Sequence, residues 1–270
     1  MRRRSALFTP GDEPERIRKA ATTDADVLLF DLEDAVATDA KDSARATVAS
    51  VLDSLDAGDS EVAVRVNPLD AGGDEDAAAA AAAGADALMV PKVDGPATLD
   101  AVRSVAPDVP LFALVETARG VLHAPAIADA DGVAAVAFGA EDYAVDVGAS
   151  PTLGGDELCY ARQRLVTAAA AAGADALDAV FTDLGNADGL RDATSRARAL
   201  GFDGKLVVHP AQVSVVNEAF APSPERVAWA QRVLTAADSG GGVVRVDGEM
   251  VDAPRVERAR RILADADADE

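Results

Sequence analysis

The chain reads LFALVETARGVLHAPAIADADGVAAVAFGAED from Leu111 to Asp142. An apolar run opens this stretch and another closes it, and each run ends on carboxylates. Glu116 follows the first run, whereas Glu141 and Asp142 follow the second. The segment between the two runs has the length of one helix. This order predicts two neighbouring parallel strands joined by a helix, with their acids at the same end of the sheet.

The same alternation of apolar runs and alanine-rich helical segments extends over most of the chain. Eight runs are strand candidates: 5–11, 27–34, 61–68, 87–93, 110–117, 133–142, 176–183 and 205–210. Eight strand–helix units predict an α/β fold of the TIM (β/α)8 barrel type over residues 1–220. A doubly wound open sheet is the second interpretation, but no GxGxxG follows the first strand to support it.

The pattern changes after the eighth strand. Residues 222–237 form an amphipathic helical segment, a hairpin is predicted to turn at Asp247–Gly248, and residues 254–266 are helical again. We therefore expect residues 221–270 to form a helix–hairpin–helix appendage to a complete barrel, serving as a lid and in oligomerisation.

Composition restricts the class of protein. The chain has 270 residues, 49% of them hydrophobic but only 4% aromatic, and a net charge of −22. Of its 25 basic residues only four are Lys, and the acids are spread along the whole chain. This pattern is typical of proteins from salt-accumulating halophiles, in which salt screens the self-repulsion. A nucleic-acid partner is disfavoured because there is no basic stripe.

Targeting signals and cysteine usage point to the cytoplasm. No apolar run is long enough to span a bilayer, and the basic start of the chain is not followed by the apolar core of a signal peptide. Cys159 is the only cysteine, which excludes an internal disulfide. We expect a cytoplasmic protein with no membrane partner.

Polar residues cluster at the predicted strand ends, where barrel enzymes carry their active sites. They are Asp31, Glu33, Asp34, Arg65, Asn67, Lys92, Glu116, Glu141, Asp142, Asp183 and His209. Carboxylates in this number favour Mg²⁺ or Mn²⁺, and zinc is disfavoured because the chain has two His and one Cys. Three choices stay open: Glu141 or Asp142 as a ligand, Arg65 as a substrate clamp or a structural ion pair, and His209 as a pocket residue or a structural one.

Several motifs in order resemble those of one family. They are LFTPGDEPER, LLFDLEDAV, VAVRVN, MVPKV, ALVETARGV, FGAEDY, VVHPAQV and GEMVDAP. The chain is similar, from Ser5 to about Leu263, to the citrate lyase β-subunit-like group of the HpcH/HpaI aldolase superfamily. This group includes malyl-CoA, β-methylmalyl-CoA and citramalyl-CoA lyases.

The resemblance implies roles for individual residues. Metal-binding carboxylates fall on Glu116 and Asp142, and the substrate-binding arginine falls on Arg65. Behind them, Glu33 and Asp34 would order metal-bound water, and His209 is placed with them as a supporting residue. The opening segment, with Phe8, Arg16 and Lys19, resembles the part that meets coenzyme A. An aspartate that reaches into a neighbouring subunit's site matches Asp252, which implies a homotrimer or a hexamer built from two trimers.

The activity implied is a reversible Mg²⁺-dependent Claisen cleavage of a 3-hydroxyacyl-CoA. Its products would be acetyl-CoA or propionyl-CoA and a 2-oxoacid, glyoxylate or pyruvate, with Asp252 as the base of the reverse reaction. Three alternatives remain open: a malyl-CoA thioesterase, a citrate lyase β subunit, and a non-catalytic protein that binds a CoA ester.

Overall fold

Eight parallel strands form a closed barrel in the computed structural model, which describes residues 2–152, 154–239 and 243–267. The strands are β1 (Ser5–Pro10), β2 (Val27–Asp31), β3 (Glu61–Arg65), β4 (Ala87–Val90), β5 (Leu111–Val115), β6 (Val133–Phe138), β7 (Asp175–Asp178) and β8 (Gly204–Val207). Each pairs with its neighbours in chain order, and β1 closes the barrel on β8. The predicted TIM barrel is confirmed.

Helices connect the strands. They are α1 (Pro14–Ala20), α2 (Lys41–Leu52), α3 (Gly73–Ala82), α4 (Pro96–Val105), α5 (Ala118–Ala128), α6 (Ala140–Asp146), α7 (Cys159–Ala172), α8 (Ala187–Leu200) and α9 (Pro210–Phe220). The connection after β6 contains two helices, α6 and α7. No helix in the described parts of the chain has the length and hydropathy to cross a membrane.

The barrel interior is packed with small and aliphatic side chains. Its fully enclosed members are Ala6, Val27, Leu29, Ala63, Ala87, Met89, Phe112, Leu114, Ala135, Ala137, Leu177 and Leu206. Neighbouring strand residues such as Leu28 and Phe30 are also fully buried, on the opposite face of their strand. Both faces of the strands are therefore apolar, which explains how a core forms with so few aromatic residues.

A partly buried arginine lies at the end of the barrel where the strands begin. The guanidinium of Arg3 forms ion pairs with Glu61 at 2.6 Å and with Asp175 at 2.7 Å, the first residues of β3 and β7. It also stacks 4.9 Å from the ring centroid of Phe112. These contacts fill the end of the barrel at which the strands begin.

Residues after the barrel form a second compact unit. The chain divides into Met1–Asn217 and Glu218–Glu270, inside α9, whereas we predicted a boundary after residue 220. The second unit contains α10 (Pro224–Ser239), β9 (Val244–Val246), β10 (Glu249–Val251) and α11 (Ala253–Asp267). Asp247 and Gly248 turn the hairpin with φ of 53° and 84°. The predicted helix–hairpin–helix order is confirmed.

Candidate active site

A cavity of about 460 Å³ opens at the end of the barrel where the strands finish. Its charged lining residues are Arg16, Asp31, Asp34, Arg65, Glu116, Glu141 and Asp142. Its apolar lining includes Phe8, Leu114, Phe138, Val180, Leu206 and Val208. The cavity therefore combines charged groups from five of the barrel strands and the segments that follow them with an apolar lining from the barrel interior.

Glu116 is the first residue after β5 and is only 3% exposed. Its Oε1 accepts a hydrogen bond of 2.7 Å from the backbone N–H of Lys92. Burial raises the pKa of this carboxyl to about 8, and the charges of Glu33 and Asp142 act in the same direction. The hydrogen bond from Lys92 and the charge of Arg65 offset only part of this rise.

Gly139 allows β6 to pass close to this carboxylate. A Cβ atom at this position would lie 2.5 Å from Cβ of Glu116 and 2.6 Å from its Oε2. Any larger residue would therefore push the acid out of position. The sequence shows a glycine between the strand and the acids, but it does not show which side chain the glycine accommodates.

Glu141 and Asp142 do not lie on a strand, contrary to our prediction. Strand β6 ends at Phe138, and both acids fall in the first turn of α6, exposed and facing the cavity. Strand alternation therefore cannot choose between them, because successive helical residues differ by about 100°. Asp142 contributes to the raised pKa of Glu116. The charges of Asp142 and Glu116 therefore act on each other, while both Glu141 and Asp142 line the cavity.

Arg65 ends β3 and is held by three acids from the segment around the end of β2. Its Nε and Nη2 donate to both oxygens of Asp31 at 2.7 and 2.6 Å, and its Nη1 lies 3.0 Å from Glu33 and 3.4 Å from Asp34. The guanidinium also stacks 4.8 Å from the ring centroid of Phe8. The structural ion pair therefore exists, yet Arg65 also lines the cavity, so the two interpretations are compatible.

Asp31 was among the strand-end acids, but the sequence assigned it no role. Its carboxylate accepts the backbone N–H groups of Glu33 and Ala35 at 2.8 and 3.0 Å as well as both hydrogen bonds from Arg65. It therefore fixes both the arginine and the loop that carries the neighbouring acids. Its position as the last residue of β2, two positions before the predicted pair of Glu33 and Asp34, was the available signal.

Glu33 and Asp34 differ in their surroundings. Glu33 is 4% exposed, and its oxygens accept no well-formed hydrogen bond from the described residues. They face Arg65 Nη1 at 3.0 Å and Lys92 Nζ at 3.4 Å. Burial raises the pKa of Glu33, against the opposing charge of Arg65. Asp34 instead lies at the cavity, with its side chain 67% exposed.

Three further residues of the barrel unit were predicted to belong to the site, namely Arg16, Lys19 and His209, and all three are exposed. Arg16 lines the cavity and forms an exposed ion pair with Glu13 at 2.7 Å. Lys19 is exposed on α1 and is not a lining residue. His209 is exposed, and its Nδ1 accepts the N–H of Ala211 at 3.1 Å, at the start of α9. The structure thus gives His209 a helix-capping contact, and its supporting role in the site stays a prediction.

Asp252 lies in the second unit, directly before α11. Its backbone oxygen accepts the N–H groups of Arg255 and Val256 at 3.1 Å, and its Oδ1 lies 3.4 Å from the N–H of Arg255. Asp252 is therefore the N-cap of α11, a structural role that the sequence prediction did not include.

The carboxylates fit a hard divalent cation. Glu116 and Asp142 carry oxygen atoms of the kind that such a cation takes as ligands, and the raised pKa of Glu116 indicates that a negative charge there is costly without a neighbouring cation. Within the described residues no three His, Cys, Asp or Glu side chains form a ready metal cluster. Two carboxylates would therefore leave the other coordination positions to water and substrate, as is common for Mg²⁺.

Known proteins are similar in sequence to this chain over nearly its whole length. The citrate lyase subunit beta of Leuconostoc mesenteroides subsp. cremoris is 38% identical over 98% of this chain and 94% of its own length. A (3S)-malyl-CoA thioesterase of Cereibacter sphaeroides is also 38% identical, over 98% and 95%. The mitochondrial citramalyl-CoA lyase of Rattus norvegicus is 33% identical, over 97% and 85%.

A solved structure has the same fold. Protein CitE from Mycobacterium tuberculosis, in complex with magnesium, acetoacetate and coenzyme A, matches with a TM-score of 0.88 and 36% identity, covering 98% of each chain. Residues 4–210 match the HpcH/HpaI aldolase/citrate lyase family, and residues 162–269 match the C–C bond lyases of the TIM-barrel fold. The chain therefore belongs to the HpcH/HpaI aldolase/citrate lyase family, whose members include carbon–carbon bond lyases.

Proposed function

We propose that this enzyme catalyses the reversible, Mg²⁺-dependent cleavage of a 3-hydroxyacyl-CoA into acetyl-CoA or propionyl-CoA and a 2-oxoacid. Malyl-CoA, β-methylmalyl-CoA and citramalyl-CoA are the candidate substrates. The observation that carries this proposal is the cavity that Arg65, Glu116 and Asp142 line together. The guanidinium of Arg65 and the two carboxylates lie beside an apolar lining. Together they fit an anionic oxoacid that is bound next to a divalent metal ion.

Glu116 and Asp142 would hold Mg²⁺, or Mn²⁺ in its place. When bound, the cation polarises the oxygen atoms of the oxoacid fragment. Arg65 would bind the carboxylate of the same fragment, and Asp31 keeps its guanidinium fixed for that purpose. Asp34 is the neighbour that an incoming carboxylate displaces most easily, because it is exposed and lies 3.4 Å away.

The coenzyme A part of the substrate would extend past Phe8 and Arg16, with Lys19 further along α1. Arg16 supports this assignment because it combines exposure with a place in the cavity lining. Phe8 contributes instead by packing against Arg65.

Asp252 of a neighbouring subunit would move the proton. In cleavage the hydroxyl proton passes to solvent water, the hydroxyl carbon becomes the carbonyl of the oxoacid, and the carbon–carbon bond breaks. The bond's electron pair passes to the thioester fragment as an enolate, which takes a proton from Asp252. In the reverse direction Asp252 removes that proton from acetyl-CoA or propionyl-CoA.

An assay in molar KCl tests the proposal. The purified protein is given Mg²⁺, glyoxylate or pyruvate, and acetyl-CoA or propionyl-CoA, and the products are identified by mass spectrometry. We expect one hydroxyacyl-CoA to form, EDTA to abolish turnover, and Glu116→Ala to lose it. Condensation that continues unchanged in EDTA, or in Glu116→Ala, would contradict the metal assignment.

Thioester hydrolysis is a second candidate, favoured by the 38% identity to (3S)-malyl-CoA thioesterases. The same site would hold the substrate while water releases the free hydroxyacid. Incubation with malyl-CoA separates the two activities. Malate and free coenzyme A without glyoxylate identify a thioesterase, whereas glyoxylate and acetyl-CoA identify a lyase. A citrate lyase β subunit would instead need a carrier-linked thioester.

A homotrimer or hexamer follows from the role given to Asp252. Mixing inactive Glu116→Ala and Asp252→Asn proteins after reversible dissociation would restore sites that take Glu116 from one subunit and Asp252 from another. For random mixing in equal amounts, roughly a quarter of the sites regain both residues. No recovery in reassembled oligomers would contradict a shared site. A cytoplasmic location stays a prediction.

A further inference from the structure

Lys92 has a backbone conformation that is unusual for its residue type. Among the described residues only Lys92 and Asp247 combine a positive φ with a side chain, at 52° and 53°. Asp247 turns a hairpin, where such angles are expected. Lys92 lies instead just after β4 at the cavity end of the barrel. A strained backbone at such a place indicates a functional constraint.

The left-handed turn has a specific consequence for Glu116. Strand β4 ends at Val90, and pairing with β5 resumes when the N–H of Val93 donates to the oxygen of Leu114 at 3.2 Å. Between these points the N–H of Lys92 donates to Glu116 Oε1 at 2.7 Å. The turn therefore occupies one oxygen of a carboxylate whose other oxygen lies beside Gly139.

The side chain of Lys92 contacts a different acid. Its Nζ lies 3.4 Å from Oε1 of Glu33, whose Oε2 lies 3.0 Å from Arg65. The Lys92 side chain is 51% exposed and does not line the cavity. The described contacts of Lys92 are therefore with other side chains.

We propose that Lys92 is a positioning residue whose left-handed backbone fixes the orientation of Glu116 for metal binding. The inference rests on the proposed assignment of Glu116 to Mg²⁺. The proposal gives the backbone of Lys92 a role that is distinct from the role of its ammonium group, which pairs with Glu33. Residues that accept a positive φ should keep the site intact, and a β-branched residue should not.

Three variants that all lack the ammonium group test the proposal. Lys92→Gly and Lys92→Asn tolerate the left-handed conformation, whereas Lys92→Val disfavours it. Titration calorimetry measures the Kd of each purified protein for Mg²⁺. We expect Lys92→Val to raise the Kd by about 10-fold or more, in the range typical of lost supporting contacts. The Gly and Asn variants should stay within about threefold of the wild type, well below that range.

Equal Kd values for the three variants, whether raised or unchanged, would overturn the proposal, because they differ only in backbone preference and side-chain shape. A second measurement needs no metal. Lys92→Val should lower the urea midpoint more in the wild type than in a Glu116→Ala background, and equal shifts would also overturn it. If the wild type binds no Mg²⁺, the proposed function fails, while this comparison still decides the role of Lys92.

Discussion

Glu116 shows how burial changes the chemistry of one residue. Its sequence position marked it as important, but an acid at a strand end is ordinarily ionised at neutral pH. Burial and two acidic neighbours raise its pKa to about 8 in the metal-free protein. A cation that binds there must compete with a proton, so metal binding and pH are linked at this site.

The metal-free protein should become less stable as the pH rises from 4.5 to about 8. The unfolded chain releases the proton of Glu116 near 4.5 and the folded protein near 8, so between these values the folded state binds the extra proton. Stability then falls with pH across this window and levels off above it. Urea denaturation in EDTA and molar KCl measures the slope.

Glu116→Gln removes the ionisable group and should flatten this dependence in part, since the raised pKa of Glu33 contributes a slope of the same sign. Glu15→Gln, at an exposed position on α1, is the matched control and should leave the slope unchanged. An unaltered slope in Glu116→Gln would show that its pKa is not raised.

Asp252 combines a structural contact with a proposed catalytic one, and two substitutions separate them. Asn remains a good N-cap, whereas Ala does not, and loss of a cap costs about 1 kcal/mol. We expect Asp252→Asn to keep the stability of the wild type and lose most of the condensation turnover, since an amide cannot remove a proton. Asp252→Ala should lose both stability and turnover, which urea denaturation and the condensation assay measure. Wild-type turnover in purified Asp252→Asn would disprove the role of base.

At the scale of elements, α5 depends on a side chain from α7. Pro125 lies inside α5 and has no N–H to donate to the oxygen of Val121, four residues earlier. The guanidinium of Arg164 donates to that oxygen at 2.6 Å and to the oxygen of Leu122 at 2.5 Å. Arg164 therefore replaces a helical hydrogen bond that the proline removes, and it holds two helices of the barrel's outer layer together.

Arg164→Met keeps most of the side-chain stem but removes both donors. We expect it to lower the free energy of unfolding by about 1–3 kcal/mol, because a buried carbonyl oxygen loses its partner. In a Pro125→Ala background the loss should be smaller, since Ala restores the backbone donor. A double-mutant cycle measured by urea denaturation gives the coupling, and additive effects would contradict this account.

The whole molecule carries a net charge of −22, which opposes its compact state. Salt-dependent stability is therefore expected, as in a halophilic protein. The Debye length falls from about 10 Å at 0.1 M to about 3 Å at 1 M salt. We expect most of the rise in Tm with KCl to occur below about 1 M, because screening saturates there. A Tm that is independent of KCl over this range would contradict the halophilic interpretation.

Much of the fold could be predicted because its determinants are local. Each strand is a short apolar run between helical segments, and eight such units in order specify a barrel. The ends of the strands were less certain: β2 and β6 finish at Asp31 and Phe138, before the acids that we had placed on them. A strand ends where its pairing with both neighbours stops, and this depends on residues distant in sequence.

The sequence by itself determined the barrel, the appended second unit, and the set of acids and the arginine gathered near the cavity. Only the tertiary structure decided how these groups act on one another. It paired Arg65 with Asp31, placed Asp142 in a helical turn, and turned the backbone of Lys92 towards Glu116. Apolar periodicity is a property of neighbouring residues, whereas a pKa or an ion pair arises between groups that folding brings together.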